Sequence, residues 1–332
     1  MDKKRQIVFN LNNFLLAFSK AFNTKKATFI ALNIAKELNF SNEKLADICS
    51  FNLAYPLGVK ALENFDFLDK ANLNDELFLE ISNISQKLAY NFDFSIFKKD
   101  LEDKIKDFIE KESLKEEFKT ILITLFSKKL FYLELLYDET ITLFIYKNLD
   151  DFTKALEFEK ILQMTNEFNL YIEKESKIVQ RAEVLADFFE FEHKDKEIFK
   201  IACSLINIGK LFIKNTKQNE DERRDLGMFY SYHTKIILDD ILGFSDISNL
   251  ASKSQERLDG SGVFALSSKD LSFKDRLIIC LNLYSYFKEP KPYKKEYTHE
   301  QTIEAIRKMV DSGKIDESLV EIFSKVFEED IK

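Results

Sequence analysis

Few residues in this chain have the chemistry to attack, move protons or hold metal ions, and they are scattered. Its 332 residues include only His193, His233 and His299 as imidazoles, each in a separate stretch, whereas a catalytic metal cluster needs imidazoles and carboxylates that converge. Cys49, Cys203 and Cys280 stand singly among apolar residues without C-x-x-C spacing, which is the pattern of reduced, buried thiols. Glu256 and Asp259 in SQERLDGSGVF are candidate hard-ion ligands. The simpler reading makes that stretch a turn, in which Asp binds local backbone and Gly supplies a positive φ. Lys210 in LINIGK, and Lys291, Tyr293 and Lys294 in KPYKK, are basic and aromatic residues in short segments. With 49 Lys and Arg in the chain, an ordinary solvated surface is the plainer reading. There is no P-loop, G-x-G-x-x-G or G-x-S-x-G element, and Gly260-Ser261-Gly262 lacks the lysine and preceding apolar strand of a nucleotide cradle.

The elements that position these residues read as helices. The chain has 7 Gly and 3 Pro, and neither type occurs between Gly58 and Gly209, so long helices joined by short polar turns are expected. The 45% hydrophobic content, with 33 Phe, excludes a disordered chain, and Phe at helical spacing reads as core. Leu101, Ile105, Phe108 and Ile109 share one face of KDLEDKIKDFIEKE. Thr298 and Gln301 form a capping-box pattern ahead of the stripe Ile303, Ile306 and Val310. Charges interrupt the apolar region Thr120 to Tyr146, making it core rather than a membrane span. The N-terminus lacks a cleavable secretory pattern, and together with the thiols this points to a cytoplasmic protein. A net charge of −8 argues against general nucleic-acid binding.

An approximate internal repeat runs through the chain. NTKKATFIALNIAKELNFSNEKLADICSFNLAYPLGV and ESKIVQRAEVLADFFEFEHKDKEIFKIACSLINIGKL both read as helix, polar turn, helix, then an apolar residue and Gly. The expected fold class is all-α, with domains at 1–148 and 149–332 separated by the polar YKNLDD segment.

In the second half, LINIGK resembles the L-H-D-x-G-K core of the HD superfamily of metal-dependent phosphohydrolases. SYHTKIILDDIL, SQERLDGSGVF, ICLNLYSYFKEPKPYKKE and SGKIDESLVEIF then resemble, in order, later segments of its HD-GYP branch. The match covers roughly Met164 to Phe323, and the N-terminal half resembles an eroded first copy with Tyr55 and Pro56 at the His-Asp positions. The resemblance implies two tandem HD-like helical bundles. It places the family's metal ligands at Lys174, Ile206, Asn207, His233, Ser254, Gln255 and Asn282, of which only His233 is a good ligand. It also implies that Lys210, Lys291, Lys294 and Tyr293 sit where intact HD-GYP domains hold substrate phosphates.

On this reading the protein is expected to be a catalytically inactive HD-GYP-like signalling or scaffold protein, with no metal or cofactor. It would act in bacterial second-messenger regulation or motility control through protein partners. Nucleic-acid binding and membrane insertion are not expected, and a homodimer is compatible with the sequence. Two alternatives stay open: a receptor for cyclic di-GMP or a related nucleotide, and a residual metal-dependent phosphodiesterase.

Overall fold

The scarcity of helix breakers has its expected result: in the computed structural model, which describes residues 6–65, 68–96, 98–149, 153–214, 220–291 and 294–328, helices dominate. Contacts divide the chain into two units, Leu11–Phe152 and Met1–Asn10 with Thr153–Lys332.

The first unit is built on α1 (Leu11–Phe22), α2 (Lys25–Glu37), α3 (Asn42–Ala54) and α4 (Glu76–Asn91). Helix α2 is its central element, packing on both α3 and α4. Phe29, Ile30, Leu32 and Ile34 of α2 are wholly buried, and Phe29 meets the rings of Phe131 and Phe144 at 5.4 and 4.8 Å. The amphipathic helix Leu101–Lys111 buries Leu101, Ile105 and Ile109 as its pattern requires, while Phe108 sits half-buried edge-on to Phe92. The apolar region after Thr120 is cut into short helices at Ser127 and Tyr137. No helix among the described residues is long and apolar enough to cross a membrane.

In the second unit, strand β1 (Gln6–Asn10) pairs antiparallel with β2 (Thr153–Glu157), a ribbon that the all-helical expectation did not contain. Phe9 is fully buried beside Phe244. Gly243, at φ +90°, lies so close to β1 that an added Cβ would meet the Val8 carbonyl oxygen at 2.2 Å. The bundle includes α5 (Phe158–Ile172), α6 (Ile178–Phe188), α7 (His193–Leu205), α8 (Ile208–Lys214), α9 (Tyr230–Asp239), α10 (Phe273–Lys288), α11 (His299–Asp311) and α12 (Glu317–Val326), with α5 and α6 both packed on α7. Two capping boxes start its later helices, Ser272 with Asp275 for α10 and Thr298 with Gln301 for α11. Ile303 and Ile306 of the α11 stripe are buried, and Val310 is half-buried at its edge. His299 starts α11 and is half-buried. Its ring bridges the Tyr284 hydroxyl at 2.9 Å and the Ser324 carbonyl at 3.0 Å. All three cysteines are free and buried.

The repeat has a matching backbone signature in each unit. Helix α2 ends with Asn39 in the left-handed region, φ 55°, and the Phe40 amide donates back to Ala35 O at 3.0 Å. Helix α6 ends with Glu190 at φ 51°, and the Phe191 amide donates back to Ala186 O at 2.9 Å. Both are Schellman closures, which turn the chain sharply into the next helix.

The crossing of α8 and α9 depends on Gly209. A Cβ there would lie 2.0 Å from the Tyr230 carbonyl oxygen and 2.7 Å from the Thr234 amide nitrogen, and the Gly209 amide donates to Thr234 Oγ1 at 3.1 Å. Gly209→Ala must therefore push the helices apart. It is expected to cost about 1–3 kcal/mol, read as a lower midpoint in urea unfolding monitored by circular dichroism.

Candidate functional site

Helix α7 ends at Leu205, and the chain turns through Ile206 and Asn207 into α8. That turn opens onto a cavity of about 310 Å³. Helix α10 supplies one wall, with Asn282 and Tyr286 one turn apart and Glu289 just past the helix end. Helix α9 contributes Tyr230, and the 3-10 turn before the RLDGSG segment contributes Gln255, followed by Arg257. Glu173, immediately after α5, and Lys291 close another side.

Charge organises this cavity. Glu173 bridges two lysines, with Lys210 Nζ donating to Oε1 at 2.8 Å and Lys291 Nζ to Oε2 at 2.6 Å. Burial pushes the Glu173 carboxyl up, but the two lysines outweigh it and hold the group below the usual glutamate range. Glu289 lies deeper, paired with buried Arg181 at 2.9 Å and accepting the Lys177 amide at 2.9 Å. Burial dominates there and keeps its carboxyl above the usual range. Lys210 also lies over the Tyr230 ring, 4.9 Å from its centre. The lining thus sets three cations, Lys210, Lys291 and Arg257, against two carboxylates, Glu173 and Glu289.

Three of the seven positions mapped as metal ligands line the cavity, and all three carry neutral amides: Asn207, Gln255 and Asn282. Gln255 accepts from the Ser231 amide at 3.0 Å and donates to Met228 O at 3.0 Å. Asn282 donates to the Tyr230 hydroxyl at 3.1 Å and to Ser254 O at 3.0 Å. The Asn207 Oδ1 and Ser254 Oγ atoms are buried without a hydrogen-bond partner among the described residues. Ile206 is core, 1% exposed, and its carbonyl accepts from Thr234 Oγ1 at 3.2 Å. His233 stacks on Phe212 at 4.6 Å, outside the cavity lining. Burial lowers its pKa below the ordinary histidine range. Lys174 is exposed, also outside this lining; the residue that reaches the cavity from that segment is its neighbour Glu173.

Of the four phosphate-anchor candidates, Lys210 and Lys291 converge on the cavity. Lys294 does not line it, and its Nζ donates to Phe287 O at 2.6 Å and Lys295 O at 3.0 Å. Tyr293 lies outside the described residues. The RLDGSG segment is a turn. Asp259 accepts from the amide and hydroxyl of Ser261, Gly260 has φ +77°, and wholly buried Glu256 accepts from the Phe264 and Leu266 amides, each at 2.9 Å.

Among the described residues no three His, Cys, Asp or Glu side chains gather as a metal site requires. The cavity's carboxylates are already engaged by cations and its amides carry no charge, so these residues do not fit a two- or three-ion centre. The cavity's chemistry is that of ammonium and guanidinium groups, amides and phenol rings. Sequence reasoning missed Glu173, Tyr230, Arg257, Tyr286 and Glu289. A signal existed for two of them, because Asn282, Tyr286 and Glu289 follow the i, i+4, i+7 spacing of one helix face.

Residues 158–319 match the HD domain family. The fold is similar to a crystal structure described as a cyclic GMP-AMP-specific phosphodiesterase of V. cholerae, V-cGAP3, with a TM-score of 0.58 and 12% identity over 97% of this chain and 98% of that one. No curated protein matches the chain. The match of residues 158–319 to the HD domain family corrects the expectation of a non-enzyme. The expectation rested on side chains mapped position by position, and at Lys174 such a mapping passes over the adjacent carboxylate that lines the cavity.

Proposed function

With residues 158–319 identified as an HD domain, we propose that this protein works in nucleotide signalling by recognising a cyclic dinucleotide in the cavity at the α7–α8 turn. The observation that carries this reading is the convergence of Lys210, Lys291 and Arg257 with the rings of Tyr230 and Tyr286 and the amides of Asn207, Gln255 and Asn282. Cations bind phosphodiester oxygens through charge-assisted hydrogen bonds. Phenol rings offer faces for base stacking, and amides both donate to and accept from base edges. Asn207, with its buried oxygen lacking a partner, is suited to meet a ligand N–H or hydroxyl.

Isothermal titration of the purified chain with cyclic di-GMP and with cyclic GMP-AMP is the test. Saturable binding of at least one, weakening as salt rises, is the expected result, and absence of heat with both rejects the reading. A second reading, hydrolysis of the bound phosphodiester, is favoured by the fold shared with a protein described as a phosphodiesterase. On that reading a linear dinucleotide accumulates when the protein is incubated with the cyclic form, measured by chromatography. A chain that binds without releasing a linear product acts by recognition alone.

A further inference from the structure

We propose that Glu173 is an internal stand-in for the ligand's phosphodiester, occupying the anion position between Lys210 and Lys291 until a phosphate displaces it. This rests on reading the cavity as a cyclic-dinucleotide site. The geometry is that of a two-oxygen anion held by two cations: Oε1 receives Lys210 at 2.8 Å and Oε2 receives Lys291 at 2.6 Å. A phosphodiester also presents two non-bridging oxygens to such a pair. The carboxylate is 14% exposed and Lys291 9%, so the anion is taken largely out of water and competes effectively for both lysines.

Position supports the same conclusion. Glu173 follows the last residue of α5, where its amide donates to Asn169 O at 2.8 Å, so its side chain can swing without unwinding a helix. Together with Lys291 it lines both the 310 Å³ cavity and a neighbouring one of about 470 Å³. Pockets for sizeable ligands span roughly 300–1,000 Å³, and a cyclic dinucleotide carries two bases and two phosphodiesters. Displacing Glu173 frees the lysines and moves one of the four residues, with Ser176, Glu289 and Lys291, that line both cavities. Affinity is then set by the difference between two anions, and every anion that enters the site is weakened by the same displacement cost.

The test is titration of the full chain and of Glu173→Gln with cyclic di-GMP, cyclic GMP-AMP and dimethyl phosphate. Glu173→Ala serves as a second variant, and thermal unfolding confirms that each form is folded. Both variants are expected to bind cyclic dinucleotide and dimethyl phosphate about ten-fold or more tightly than the unmodified chain, and adding Lys210→Gln should cancel the gain. Equal or weaker binding by the folded variants overturns the proposal, even where the unmodified chain binds a dinucleotide well and the functional reading survives. If no form binds a cyclic dinucleotide but Glu173→Gln gains affinity for dimethyl phosphate, the stand-in holds and the dinucleotide reading falls. No binding of any probe by any form rejects both.

Discussion

Arg181→Met is expected to destabilise the protein by about 3–5 kcal/mol, because it leaves a buried carboxylate without its main counter-ion. The Arg181 side chain is 2% exposed and that of Glu289 7%. The guanidinium also donates to Ser285 Oγ at 3.2 Å and lies over the Tyr284 ring, 5.3 Å from its centre, so this pair ties α6 to α10. Methionine keeps much of the packing volume, which confines the change largely to charge. Glu289 would retain the Lys177 amide at 2.9 Å and Lys291 at 3.7 Å, too little to solvate a buried anion that burial already holds above its usual pKa. Losing Arg181 raises that pKa further. A carboxyl whose folded-state pKa lies above its unfolded value loses stability as pH rises from the unfolded pKa through the folded one. The variant should therefore recover part of its loss as pH is lowered from 7 towards 5. Urea unfolding at both pH values measures this, and Arg181→Met combined with Glu289→Gln should restore most of the stability. A deficit under about 1 kcal/mol at pH 7 would contradict a pair that matters this much.

The double substitution Lys210→Gln with Lys291→Gln is expected to weaken cyclic-dinucleotide binding by about 100-fold or more, since each charge-assisted hydrogen bond lost is worth roughly 1.5–3 kcal/mol. Glutamine retains polarity but not charge, so binding should also become less salt-sensitive, while any uptake of neutral guanosine stays the same. This variant has a side effect with a predictable sign. In the unmodified protein the lysines hold the Glu173 pKa below its usual value, which contributes stability above the unfolded pKa and is lost as pH falls. Without them burial alone acts, and the sign reverses, so the variant becomes less stable as pH rises. Adding Glu173→Gln removes that pH dependence, and with it the negative charge that the double variant leaves facing the ligand's phosphates. Calorimetry on the double and triple variants gives the comparison, and unchanged affinity would show that the ligand's phosphates bind elsewhere.

Much of the architecture is local in origin and could be read without coordinates. Ser272 with Asp275 and Thr298 with Gln301 form capping boxes from residues three apart, and the stripe Leu101, Ile105, Ile109 buries as its period demands. The helix–turn–helix plan appears in both units with the same left-handed closure, at Asn39 and at Glu190. The RLDGSG turn likewise forms from its own Asp, Ser and Gly. The candidate site was legible in part: Lys210, Lys291, Asn207, Gln255 and Asn282 were singled out and do line one cavity.

What the sequence by itself determined was the set of helices, their caps and turns, because these depend on residues within a few positions of one another, and which stretch of chain resembles an HD phosphohydrolase, because that rests on short segments taken in order. The tertiary structure decided the partnerships. It paired Gln6–Asn10 with Thr153–Glu157 across more than a hundred residues. It turned His233 onto Phe212 and away from the cavity, and it brought Glu173, rather than Lys174, between Lys210 and Lys291. Adjacent residues near a helix end point in directions about 100° apart, so a one-residue step separates a solvent-exposed lysine from the carboxylate at the centre of the site. The contacts that single out that residue come from segments distant in sequence, and only folding brings them together.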